Sequence, residues 1–120
     1  MLPRHFRLRR PEDFSAARQR GKRWHDPLLI LNVLPDGLPH NRLGFVVSRQ
    51  VGKAAVRNLL KRRLRAASRF WLPHLMTGYD IVIIARPAAS RASYQELEAV
   101  LGKLFGLAGL LVPQNAVGVP

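Results

Sequence analysis

Residues 51–69 read VGKAAVRNLLKRRLRAASR and set the frame for the chain on either side. The stretch carries Lys53, Arg57, Lys61, Arg62, Arg63, Arg65 and Arg69 and no acid. Ala, Leu, Lys and Arg are strong helix formers and Gly52 interrupts what precedes, so a helix is expected from near Ala54. At about 100° per residue, Val56, Leu59, Leu60, Leu64, Ala67 and Phe70 share one arc, the expected core side. Arg57, Lys61 and Arg65 recur at i, i+4 and i+8 on the opposite side, with Asn58, Arg62 and Arg69 beside them. Like charges four residues apart repel along a helix. Such a stripe is either a solvated face or the seat of a polyanion. Its density and single sign favour the polyanion, because ordinary surface helices mix signs to gain i,i+4 pairs.

Upstream, residues 42–48 (RLGFVVS) and 28–34 (LLILNVL) are apolar runs of strand length. The turn cluster Pro35-Asp36-Gly37-Leu38-Pro39 between them suggests a hairpin with a loose loop. Gly44 suggests a bulge or a close approach. Asn32 is the one polar break in the earlier run, either a satisfied amide or a group that faces a ligand. Further upstream, Pro11 suits a first helical position, Glu12 and Asp13 suit a first turn, and Gly21 suits a stop. They bracket a helix ending near Arg20. Its one large apolar residue is Phe14, readable as a core anchor or as a ring on which a base stacks. Residues 1–10 are basic and read as extended.

Downstream, Pro73 and Gly78 close the basic helix, and Tyr79–Ala85 is a third long strand, apolar apart from Asp80. Strand, helix, strand calls for a crossover and a parallel pair. Ser93 and Glu96 have capping-box spacing before a last helix. Leu97, Val100, Leu101, Leu104 and Phe105 then form its core stripe. Residues 107–120 lack periodicity and read as a flexible tail on a domain of residues 1–106, although Leu110, Leu111 and Val112 could dock on the body.

Composition narrows the partners. Twenty Lys and Arg against seven acids leave a net charge of +13 on 120 residues, which points first to nucleic acid and second to an anionic membrane. No carboxylate lies between Asp36 and Asp80, so a field of one sign is expected over that span. No apolar run nears the roughly 20 residues of a membrane-spanning helix, and no secretory h-region opens the chain. A cytoplasmic protein is therefore expected. Without cysteine there is no disulfide framework and no thiolate chemistry. His5, His25, His40 and His74 are scattered, with no metal-ligand spacing. No acid pair suits a two-metal nuclease, and there is no phosphate loop or nucleophile elbow. Neither a catalytic residue nor a protein-held metal is expected.

The pattern Lys53-x-x-Val56-Arg57-Asn58-x-x-Lys61-Arg62-x-x-Arg65 resembles the signature of the bacterial ribonuclease P protein subunit. The likeness extends through Phe6-Arg7-Leu8, Glu12-Asp13-Phe14, Gly44-Phe45-Val46-Val47-Ser48 and Tyr79 to Pro87, so it spans about residues 4–106. Two positions depart from the family pattern. Leu59 stands where a third signature arginine is usual, and Arg63 stands where an apolar residue is usual, its charged end expected to snorkel outward.

The resemblance implies an α+β fold: a two-layer sandwich of a mixed sheet of about four strands with three helices and a left-handed βαβ crossover. It implies an accessory subunit of an endoribonuclease whose RNA subunit performs the chemistry with magnesium, removing the 5′ leader of precursor tRNA. Lys53, Arg57, Asn58, Lys61, Arg62, Arg65 and Arg69 would then grip the catalytic RNA. A separate sheet face with Phe14, Arg18 and Asn32 would hold the leader. The protein is expected to be monomeric within the ribonucleoprotein. The competing reading is a ribosomal or RNA-assembly protein that binds structured RNA without hydrolysis.

Overall fold

The computed structural model describes residues 2–113. Its helices are α1 (Pro11–Arg20), α2 (Ala54–Trp71) and α3 (Tyr94–Leu107), and its strands are β1 (Lys22–His25), β2 (Leu29–Pro35), β3 (Arg42–Val46) and β4 (Tyr79–Ala85). The strands form one mixed sheet in the order β1-β2-β4-β3. β1 and β4 run antiparallel to β2, while β3 runs parallel to β4. The fold is α+β, with α2 crossing over between the parallel pair.

The expected hairpin of β2 with β3 does not form, because β4 lies between them. The reason is burial. Ile81, Val82 and Ile83 are fully buried, and an interior place in the sheet lets β4 pair on both edges beneath both packed layers. β2 takes its hairpin partner from the other side instead. That partner is β1, too polar to announce itself in the sequence, whose exposed Lys22 and Arg23 guard the edge against further pairing. The opposite edge, β3, is covered by the N-terminal segment. Leu8 N–H donates to the Leu43 carbonyl at 2.7 Å, and Arg7 bridges Leu43 in parallel.

Alternation along the strands divides the core in two. Leu29, Leu31, Val33, Leu43, Ile81 and Ile83 face α2 and α3. On the other face Val82, Ile84, Leu34 and Val46 meet Leu8, Phe14 and Ala17 of the N-terminal segment and α1. Helix α3 opens with the expected box: Ser93 Oγ accepts from Glu96 N–H at 3.1 Å, and Glu96 Oε1 accepts from Ser93 N–H at 3.0 Å. Trp71 locks α2 to α3. Its indole Nε1–H donates to the Glu98 carbonyl at 2.8 Å, and its ring fills the space a β-carbon on Gly102 would need.

Asn41, just before β3, ties the start of that strand to the segment leading into its parallel neighbour β4. Its amide donates to the Met76 carbonyl at 2.8 Å and its Oδ1 accepts from Tyr79 N–H at 3.0 Å. Leu110, Leu111 and Val112 dock on the body. Leu110 is buried, its carbonyl accepts from Met76 N–H at 2.7 Å, and Val112 N–H donates to the His74 backbone carbonyl at 2.8 Å. The remainder of the segment read as a tail, residues 114–120, lies outside the described residues.

Candidate nucleic-acid interface

Helix α2 buries a narrower arc than its apolar residues suggest. Leu60, Leu64, Ala67 and Ser68 are buried, whereas Val56, Leu59 and Phe70 are 38%, 42% and 48% exposed. Trp71, held by the Glu98 carbonyl, takes the inward place that Phe70 was expected to fill. The core side is thereby rotated toward Arg57, Lys61 and Arg65. This row does not lie opposite the core. It runs along the margin of the buried arc, half-buried, while Lys53, Asn58, Arg62 and Arg69 are exposed outside it.

None of the cations in this set has a carboxylate partner among the described residues, where ion pairs involve Arg10, Arg42 and Lys103. Arg57 Nε is buried without a hydrogen-bond partner. Arg63 behaves differently from its expected snorkelling. Its Nη1 donates to the Ala92 carbonyl at 2.9 Å, tying α2 to the turn before α3. It is therefore not free to replace the arginine that the family carries at Leu59, and exposed Arg62 is the neighbouring cation that remains available.

The predicted one-sign field between Asp36 and Asp80 has one exception. Arg42 is enclosed by acids: Asp80 Oδ1 and Oδ2 accept from its Nε and Nη2 at 2.9 and 2.8 Å, and Asp13 and Asp36 lie at 3.5 and 3.8 Å. These carboxylates hold the Arg42 guanidinium more firmly protonated than usual, Asp80 most of all. The crowding acts on the acids as well. Burial first, and the adjoining Asp80 second, push the Asp36 carboxyl up to about 6. Arg42 and the acids around it thus neutralise one another, and Arg42 adds no free charge to the basic surface.

Phe14 joins the basic row instead of sitting on a separate face. A groove of about 220 Å³ is lined by Phe14 of α1, Gly44 and Phe45 of β3, Lys61 and Arg65 of α2, and Arg7 and Arg9 of the N-terminal segment. Gly44 explains how α1 and β3 close on each other. A β-carbon there would fall 2.4 Å from Phe14 Cε1 and Cζ. Arg18 is exposed one turn further along α1. Asn32 is on the same side of the sheet but only 1% exposed, and its Oδ1 accepts from Arg23 Nε at 3.0 Å. The exposed group at that point is Arg23. Arg7, Arg9 and Arg23 escaped the sequence reading because only the pairing of the N-terminal segment with β3 and of β1 with β2 brings them here.

A one-sign rim around an aromatic floor suits a polyanion with stackable bases. The donor set does not suit a protein-held magnesium ion. Among the described residues no three His, Cys, Asp or Glu are placed to hold a metal ion, and none of the α2 site residues is an acid. No described helix is long and apolar enough to cross a membrane.

Known proteins agree with this architecture. Residues 2–109 match the family Ribonuclease P. The chain is 38% identical to the ribonuclease P protein component of Roseiflexus castenholzii, over 97% of this chain and 94% of that one. It is 44% identical to that of Chloroflexus aurantiacus, over 99% and 90% respectively. The ribonuclease P protein of Thermotoga maritima is similar in structure, with a TM-score of 0.75 at 33% identity over 82% of this chain and 93% of that one. That of Staphylococcus aureus has a TM-score of 0.81 at 24% identity over 89% and 98%, a likeness of fold. With the family matched over nearly its whole described length, the chain belongs to the bacterial ribonuclease P proteins.

Proposed function

We propose that the protein is the RNA-binding subunit of a ribonuclease P and that it holds two RNAs at once. Lys53, Arg57, Asn58, Lys61, Arg62, Arg65 and Arg69 grip the catalytic RNA, and the groove beneath Phe14 receives the single-stranded leader of precursor tRNA. The observation that carries this reading is the unpaired cation row of α2 bordering the Phe14 groove. Guanidinium and ammonium groups without carboxylates are ready to displace counterions from phosphate. Asn58 adds a donor and an acceptor for a sugar or base edge. Arg18 extends the leader path along α1, and buried Asn32 acts on it by positioning Arg23.

The RNA subunit breaks the phosphodiester. Charge neutralisation and an activated water would come from magnesium held by that RNA, and none of the protein residues named above would ligate it. The protein's own part is to anchor the leader beside the catalytic RNA, favouring precursor over mature tRNA. It does this as a monomer in the cytoplasm. Reconstitution tests the reading. The protein, mixed with a bacterial ribonuclease P RNA at low magnesium, is expected to accelerate leader removal over RNA alone. No acceleration sinks the proposal and leaves a structured-RNA binder, whereas cleavage by the protein alone makes it a nuclease in its own right.

A further inference from the structure

Arg7 and Arg9 of the Phe14 groove also line a second hollow of about 290 Å³, walled by Arg4 and His5 and by Leu38 and His40 of the β2–β3 loop. Three rings converge in this place. His5 lies 4.2 Å from Phe6 and 5.3 Å from His40 between ring centroids, and His40 meets both at steep angles of 89° and 79°. Edge-to-face packing of this kind fixes ring orientation. His5 is nevertheless exposed, so part of the cluster is open to a ligand.

The unpaired charge around the rings is positive. Arg4, Arg7 and Arg9 are exposed and have no carboxylate partner among the described residues. The acid at the rim, Asp13, is engaged by Arg10 at 3.2 Å and Arg42 at 3.5 Å. Rings oriented for stacking with free guanidiniums beside them are the chemistry of a nucleotide seat: π-face for the base, planar donors for the phosphate. Neither histidine is needed for the grip of α2 on RNA or for the Phe14 groove.

We propose that this hollow is a second subsite for single-stranded RNA and takes a leader nucleotide further from the cleavage site than the one on Phe14. The inference rests on the Phe14 groove being the leader's seat. Continuity assigns the occupant. Arg7 and Arg9 line both hollows, so a strand leaving the first passes its phosphates along the guanidiniums that open the second.

The test uses the full chain assembled with a bacterial ribonuclease P RNA. Binding is measured for mature tRNA and for precursors whose leaders grow one nucleotide at a time. Wild type is compared with His5→Ala/His40→Ala and with Arg4→Ala, an exposed position whose change leaves the core alone. Thermal unfolding verifies that each is folded. Wild-type affinity is expected to climb in two steps with leader length. The variants lose the second step, about fivefold or more, as removal of one stacked base predicts. A single step in wild type, or variants that track wild type at every length, overturns the subsite and leaves the Phe14 groove standing. Equal weakening of mature and precursor tRNA makes the occupant the catalytic RNA and overturns the leader assignment. Wild type without any preference for precursor removes the proposed function, and this subsite with it.

Discussion

The ring of Phe14 occupies the space that a β-carbon on Gly44 would need, with Cε1 and Cζ both 2.4 Å from that point. A glycine in β3 therefore sets the position of the aromatic floor of the groove. Gly44→Ala must push the ring aside, and the half-buried ring can swing toward solvent. The expected result is a folded protein that has lost its preference for precursor over mature tRNA by about fivefold or more, as Phe14→Ala should. Competition binding with the two RNAs measures it. Normal preference in Gly44→Ala would show that the leader does not use the ring as placed.

Arg65 lies where α2 borders this groove, without an acidic partner. Arg65→Ala should weaken binding to the catalytic RNA and lower the slope of log affinity against log salt by about 1. Affinity measured across a salt series gives the slope. If it does not change, Arg65 touches no phosphate.

Ser68 is buried on the core side of α2, and its hydroxyl has no partner. Such a group carries a desolvation penalty with nothing to offset it. Ser68→Ala is expected to leave stability unchanged or raise it by up to about 1 kcal/mol in urea unfolding. A loss of stability would reveal a hydrogen bond or a packing role for that oxygen.

Asp36 predicts the direction of a pH effect. Its carboxyl is raised from an ordinary 3.8 to about 6, so the folded state holds the proton more tightly than the unfolded chain does. This contribution to stability is full below pH 3.8 and is lost as pH rises through about 6. Asp36→Asn imitates the protonated group and keeps an oxygen for Leu38 N–H, which donates to Asp36 Oδ1 at 2.8 Å. The variant should therefore gain on wild type between pH 4 and pH 8, by about 1–3 kcal/mol. Denaturant unfolding at both pH values measures the gain; a difference that stays constant with pH would mean Asp36 is ionised throughout.

Local signals were dependable guides to the helix ends and the central strand. Pro11 and Gly21 bracket α1, and Ser93 and Glu96 open α3 with both reciprocal bonds in place. The apolar run at 79–85 became the central strand β4. What stayed hidden depends on partners distant in the chain. Pairing of Leu31 with Ile83 excludes the β2–β3 hairpin, and no local pattern encodes it. The indole of Trp71 turns α2 through its bond to Glu98, which a helical wheel cannot anticipate. For the site, residue types and the α2 cluster were legible, but the meeting of Phe14 with Lys61 and Arg65 required four segments to close on one groove.

The strap of Arg7 and Leu8 along β3 gives the amino-terminal segment two duties. It sheathes a sheet margin that would otherwise be available for self-association, and it forms one bank of the RNA channel. Trimming those residues would therefore bring clumping and weakened RNA capture together.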